Sequence, residues 1–119
     1  DIYGGDFLPE EPYLSWAEIK RSALKEQYLW VLLEMVALWE RKSDLEQATR
    51  CCRRAVRTDP LAEHAQQRLM VLLQRQGRQS EAVRVYRDLE KGLAAELDTV
   101  PDPETTRIYE KIYKLKAEG

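Results

Sequence analysis

The side chains best suited to chemistry in this chain are few: one imidazole, His64, and two adjacent thiols, Cys51 and Cys52. A serine or cysteine nucleophile needs a base within hydrogen-bond reach, and His64 falls in the first turn of an expected helix with nothing reactive beside it. Ser15, Ser43 and Ser80 all stand where helices are expected to begin, and capping of the backbone explains each. Neighbouring side chains on a helix point about 100° apart, so Cys51 and Cys52 are not a disulfide pair. Cys52 occupies a packing position and reads as a small buried hydrophobe, with Cys51 more exposed. Glu10 and Glu11 pair two carboxylates, but on an extended segment without the apolar pocket that raises a carboxyl pKa. These residues assign no catalytic, cofactor-binding or metal position, and the expectation is a protein that is not an enzyme and takes no cofactor.

Charge is more informative in its distribution than in its total. The 19 Lys and Arg against 21 Asp and Glu leave −2, too acidic for a nucleic-acid binder driven by net charge. Residues 41–87, however, carry 11 basic against 5 acidic side chains, and the segments on either side are acidic. Within that stretch Arg50, Arg53, Arg54 and Arg57 recur at i, i+3, i+4 and i+7, one stripe of a helix. A solvated outer face accounts for such a stripe. Its functional alternative is a docking patch for an acidic protein surface or for DNA phosphates flanking a site read by another domain. No aromatic side chains interleave with it, so base readout is not expected from it.

The elements that must position these residues are all helical. A length of 119 residues suits a single domain over 1–119, and 44% apolar residues suffice for one core. Residues 1–14 hold two glycines and two prolines without helical period, so an extended arm is expected, docked through Tyr3, Phe7, Leu8 and Tyr13. Ser15 with Glu18 resembles a capping box, opening a long helix to about Lys42. Its apolar stripe would be Ile19, Ala23, Tyr28, Leu32, Met35 and Trp39, with Trp30, Leu33 and Ala37 on another face. A second helix follows Ser43 or Asp44 and runs to about Thr58. Asp59-Pro60 signals the start of a third, ended by Gly77. Ser80 opens a fourth, in which Gly92 marks a close crossing, and Asp102-Pro103 opens a last helix over about 103–117. The longest apolar run, Leu29 to Trp39, is interrupted by Glu34 and far shorter than the ~20 residues of a membrane span. With no disulfide framework, the expected compartment is the reducing cytoplasm, and no membrane partner is expected.

An internal period underlies this order. Ala48 and Ala82, Cys52 and Tyr86, and Ala55 and Leu89 are each separated by 34 positions, the length of a tetratricopeptide repeat. Units over about 29–62 and 63–96 follow, with a C-terminal capping helix, giving an all-α, right-handed stack of antiparallel helix pairs with about five helices. Stacking covers the apolar face that each pair leaves open. The concave groove of such a stack is lined by the first helix of each pair, which places Trp30, Leu33, Ala37, His64, Gln67, Val71 and Gln74 there. Trp, Leu and Ala in the first unit do not supply the Lys, Arg and Asn that grip a peptide carboxylate. Trp30 is expected to pack inside the domain.

The arm YGGDFLPEEPYLSW, the stretch TDPLAEHAQQRLMVLLQRQGRQSEAVRVYRDLEKGLAAEL and the closing PDPETTRIYEKI together resemble the bacterial transcriptional activator domain. The likeness extends over roughly residues 3–113. Its most specific parts are Asp59-Pro60-Leu61 with Glu63, Gly77 to Tyr86, Glu96-Leu97 and Pro103-Glu104-Thr105. One position departs: Asp98 stands where the family has glycine, and a left-handed residue is expected there. The resemblance implies a non-catalytic interaction and oligomerisation module of a transcription regulator. Its implied partners are other domains of its own polypeptide, chiefly a winged-helix DNA reader, with RNA polymerase or a homodimer partner as further contacts and DNA met only indirectly. The alternative is a free-standing repeat scaffold that binds peptides or proteins and is unrelated to transcription.

Overall fold

A computed structural model describes the backbone of residues 10–118 and the side chains of residues 15–115. Five helices follow one another: α1 (Glu10–Arg41), α2 (Leu45–Thr58), α3 (Glu63–Arg75), α4 (Gln79–Leu97) and α5 (Pro103–Glu118). The described residues contain helices and connectors alone. Helix α1 packs on α2, α2 on α3, α3 on α4, and α5 closes against both α3 and α4, a tetratricopeptide-like stack.

The turns show why the chain reverses where it does. Ser43 adopts φ 61°, and the Asp44 amide reaches back to the Trp39 carbonyl at 2.9 Å. The Asp44 carboxylate then caps α2 by accepting from the Gln47 amide at 3.1 Å. Gly77 takes φ 76°, and the Arg78 amide bonds to the Leu73 carbonyl at 2.8 Å, the wrap-around closure that favours glycine after a helix. Asp98 ends α4 in the left-handed region, φ 51° and ψ 46°, as its place in the sequence predicts. At Gly92 an added Cβ would lie 3.2 Å from Leu61 Cδ2, so α4 does cross that loop closely.

Three helix starts differ from expectation. Helix α1 begins at Glu10, not at Ser15, so residues 10–14 are helical and the extended arm cannot span 1–14. Pro12 permits this because the first turn of a helix leaves its N–H groups unbonded anyway. Helix α3 starts at Glu63, three residues after Pro60. Asp59 instead folds a turn, its carboxylate accepting from the Leu61 amide at 3.3 Å. Helix α4 starts at Gln79, so Ser80 lies within it and caps nothing. The expected docking of Tyr3, Phe7 and Leu8 lies outside the described residues, as does the side chain of Tyr13.

The core runs between the pairs. Val36, Ala48, Cys52, Met70, Leu72, Leu73 and Ala82 are fully buried, and a smaller cluster joins Leu32, Ala55 and Ala65. Ala48 and Ala82 sit at equivalent close contacts, where larger side chains would hold the helices apart. Tyr86 of α4 stacks on Tyr109 of α5 with centroids 4.0 Å apart, and its hydroxyl lies 3.0 Å from the Thr106 hydroxyl.

The stripe expected on α1 is only partly inward. Leu32 is buried, and Val36 is buried in the place foreseen for Met35, but Ile19 is 67% exposed and Trp30 64% exposed. Trp30 does not pack inside the domain. Length explains this outcome. Helix α1 has 32 residues against 14 in α2, about 48 Å against about 21 Å at 1.5 Å per residue. The N-terminal half of α1 therefore projects past the partner that would have covered it.

Candidate interaction surface

Helices α1, α3 and α5 form the concave side of the stack. Between α1 and α3 lies a small ionic network: Arg68 donates to Glu40 at 2.7 Å and to the Leu33 carbonyl at 3.4 Å, and Arg75 reaches the same carboxylate at 3.4 Å. Glu40 and Arg68 are both about three-quarters buried, so this pair is less screened than an exposed one. The network walls a hollow of about 250 Å³ completed by Gln67, Val71 and Ile108. Val71 and Ile108 also line a cleft of about 260 Å³ between α3 and α5, where Ile112 and Leu115 complete the apolar lining and Gln74, Glu104, Arg107 and Lys111 supply the polar part. The two hollows share that wall and make one groove, apolar at the bottom and mainly basic at the edge.

A second set of contacts holds α5 in position along the groove. Glu63, at the start of α3, accepts from the Thr105 hydroxyl at 2.6 Å and from the Asp102 amide at 2.9 Å. Gln67 donates to the same Thr105 oxygen at 2.8 Å. Thr105 is fully buried yet both donates and accepts, so its burial costs little.

The expected groove residues divide accordingly. Gln67, Val71 and Gln74 line the groove, and Leu33 contributes its carbonyl to the network. Ala37 is half-buried, while His64 and Trp30 are exposed and line neither hollow. The register of two repeats misses Glu40, Arg68, Ile108, Lys111 and Leu115. The i, i+4, i+7 spacing of Ile108, Ile112 and Leu115 was the available signal: α5 enters the groove as the first helix of a further pair would.

On the convex side the arginine stripe is divided by intramolecular contacts. Arg53 pairs with Glu81 at 3.0 Å, and Arg54 donates to the Tyr28 hydroxyl at 2.9 Å. Glu81 also takes two bonds from Arg78, at 2.7 and 2.9 Å, and these hold its carboxyl below the usual carboxylate range. Arg50 and Arg57 are exposed, and neither forms an ion pair among the described residues. Burial pushes the Cys52 thiol up to about 12, and its S–H points at the Ala65 carbonyl, 3.4 Å away. Among the described residues no three His, Cys, Asp or Glu side chains converge as a metal site would require, and no helix is long and apolar enough to cross a membrane.

Several of the residues that hold this groove together also carry the resemblance noted in the sequence. Glu63 and Thr105 join α3 to α5, Gly77 turns the chain between α3 and α4, and Tyr86 anchors α5. Residues 1–113 match the bacterial transcriptional activator domain. The chain belongs to that family. A curated relative, the regulatory protein AfsR of Streptomyces griseus, is 33% identical over 124 residues. The match takes in 98% of this chain and 12% of the relative's length, so the chain spans only a small part of the length of that protein.

Proposed function

We propose that this bacterial transcriptional activator domain is a non-catalytic protein-interaction and oligomerisation module of a cytoplasmic transcription regulator. It holds a winged-helix DNA reader in place and offers its groove to other domains of the polypeptide or to the transcription machinery. The observation that carries this reading is the groove itself: Val71, Ile108 and Leu115 form an apolar floor under a rim of Arg107 and Lys111, in a chain matched to the family along nearly its whole length. The same-family regulator from Streptomyces griseus supports the transcriptional setting. The candidate groove set of Trp30, Leu33, Ala37, His64, Gln67, Val71 and Gln74 narrows to Gln67, Val71 and Gln74, joined by Ile108 and Leu115. The candidate basic patch narrows to Arg50 and Arg57.

The test is a reporter assay in a regulator that carries this domain. Val71→Glu and Leu115→Glu place a charge on partly exposed floor positions, so the fold should survive. Transcription is expected to fall at least ten-fold while promoter occupancy, read by footprinting, stays unchanged. Full activation by both variants would refute the groove as the working surface.

A further inference from the structure

The cleft between α3 and α5 has a shape and a charge that together describe what would fill it. Val71 and Leu115 are 37% and 43% exposed, and Ile108 is half-buried. These three line an opening that follows α5 from Glu104 to Leu115, about 16 Å or three helical turns. The apolar positions on α5, Ile108, Ile112 and Leu115, are spaced i, i+4 and i+7, a ridge against which the side-chain ridge of another helix can pack. Cations stand along both edges. On the α1 side Arg68 and Arg75 share Glu40, and on α5 Lys111 lies beside Arg107, which pairs with Glu104. Lys111 and Lys114 are exposed and form no ion pair among the described residues. We propose that this groove binds an amphipathic helix of about three turns, with apolar residues at i, i+4 and i+7 and carboxylates flanking them. The proposal rests on the reading of the groove as the working surface and names the chemistry of its partner.

A helix fits this lining better than an extended peptide does. An extended segment brings N–H and C=O groups that need partners wherever they are buried. The groove supplies few, because the backbone of α3 and α5 is spent within those helices and Gln67 already donates to Thr105 at 2.8 Å. A helix arrives with its own backbone bonds made and needs only apolar anchors. The sign of the flanking charge follows from what borders the groove. Arg68, Arg75, Arg107 and Lys111 outnumber Glu40 and Glu104, and Lys114 adds a further cation three residues beyond Lys111. Glu40 already receives two guanidinium groups, so a basic partner would find that carboxylate taken. A glutamate on the partner meets Lys111 and Lys114 without breaking an ion pair of the fold. The Glu104–Arg107 pair is exposed on both sides, so its rearrangement costs little. Such complementarity selects the partner, while the apolar contacts supply most of the affinity.

Fluorescence anisotropy on the whole chain provides the test, with a labelled peptide of about 14 residues stapled into a helix on its outer face. The peptide carries leucines at i, i+4 and i+7 with glutamates beside them. Saturable binding with Kd between about 1 and about 100 µM is expected. Val71→Glu and Leu115→Glu should weaken it at least ten-fold with the helical circular dichroism intact. Arg50→Glu, on the convex side, should leave it unchanged. Lys111→Glu should weaken it several-fold and at the same time improve binding of a lysine-flanked version of the peptide, a reversal that loss of fold cannot produce. No saturation by about 300 µM would overturn the proposal. So would equal binding of the lysine-flanked peptide to the unaltered chain, equal binding of a version with its leucines scattered around the helix, or loss of binding through Arg50→Glu. The reporter assay separates this proposal from the reading beneath it. If Val71→Glu silences transcription and the acidic helix does not bind, the groove remains the working surface for a partner of other chemistry, and this proposal falls. Full activation by the groove variants, beside peptide binding as expected, would refute the working surface alone.

Discussion

Two residues illustrate how local physics constrains this molecule. Cys52 sits between α2 and α3 with its thiol pushed up to about 12 by burial. In the unfolded chain a thiol ionises near ~8.5, so the fold favours the protonated form. That contribution to stability is complete below about pH 8.5 and is lost as the pH rises toward 12. Native protein at pH 8 should therefore react slowly with Ellman's reagent at both buried cysteines, and rapidly at both in guanidinium chloride. Fast labelling of Cys52 in the native state would contradict its buried position. Asp98 presents the opposite case, a residue under mild conformational strain. Its left-handed backbone is one that glycine adopts freely, so Asp98→Gly should stabilise the domain by about 0.5–1 kcal/mol, read as a higher urea midpoint. This position was legible in the sequence because it departs from the family's glycine at a known turn. The matching strain at Ser43 was not, because serine also fits a capping role and nothing in the local sequence separates the two.

At the scale of helices, periodicity identified the elements and misjudged some of their faces. The 34-residue spacing correctly placed Ala48, Cys52, Ala55, Ala82 and Tyr86 in the core, since each has a partner helix at its own level. The 3.6-residue stripe failed for Ile19 and Tyr28 because it records which side of a helix is apolar, not whether anything lies against it. Helix starts were misread for a related reason: Ser15 and Ser80 are able to cap, but the first turn tolerates Pro12, and Asp59 spends its carboxylate on the Leu61 amide. The close contacts at the two alanines can be tested directly. Ala48→Leu and Ala82→Leu add three heavy atoms each where no space remains, and overpacking should cost about 1–3 kcal/mol. Arg50→Ala and Arg57→Ala, on the exposed face, should stay within about 0.5 kcal/mol. Thermal melts that ranked the two classes the other way would displace both alanines from the helix contacts.

For the molecule as a whole, the separation of charge determines what it can contact. Basic side chains concentrate in residues 41–87, yet the fold commits several of them internally: Arg68 and Arg75 to Glu40, and Arg53 and Arg78 to Glu81. The sequence showed the arginine stripe because its spacing is regular along one helix. It could not show the pairing, which joins α2 to α4 and α1 to α3 across 28 or more residues. The consequence for DNA is quantitative. Each phosphate neutralised contributes about −0.9 to the slope of log K against log salt. Four available arginines would give a slope near about −3.6, whereas Arg50 and Arg57 alone would give about −1.8. The isolated chain should therefore bind duplex DNA weakly, without sequence preference, and with the shallower slope. Arg53 and Arg54 could join only by giving up Glu81 and the Tyr28 hydroxyl. Fluorescence anisotropy with two unrelated duplexes between about 50 and about 200 mM salt would measure both quantities. A preference for one sequence that persists at the higher salt, or a slope near that of four contacts, would mean that the stripe binds DNA in its own right and that its internal partners are readily exchanged for phosphate.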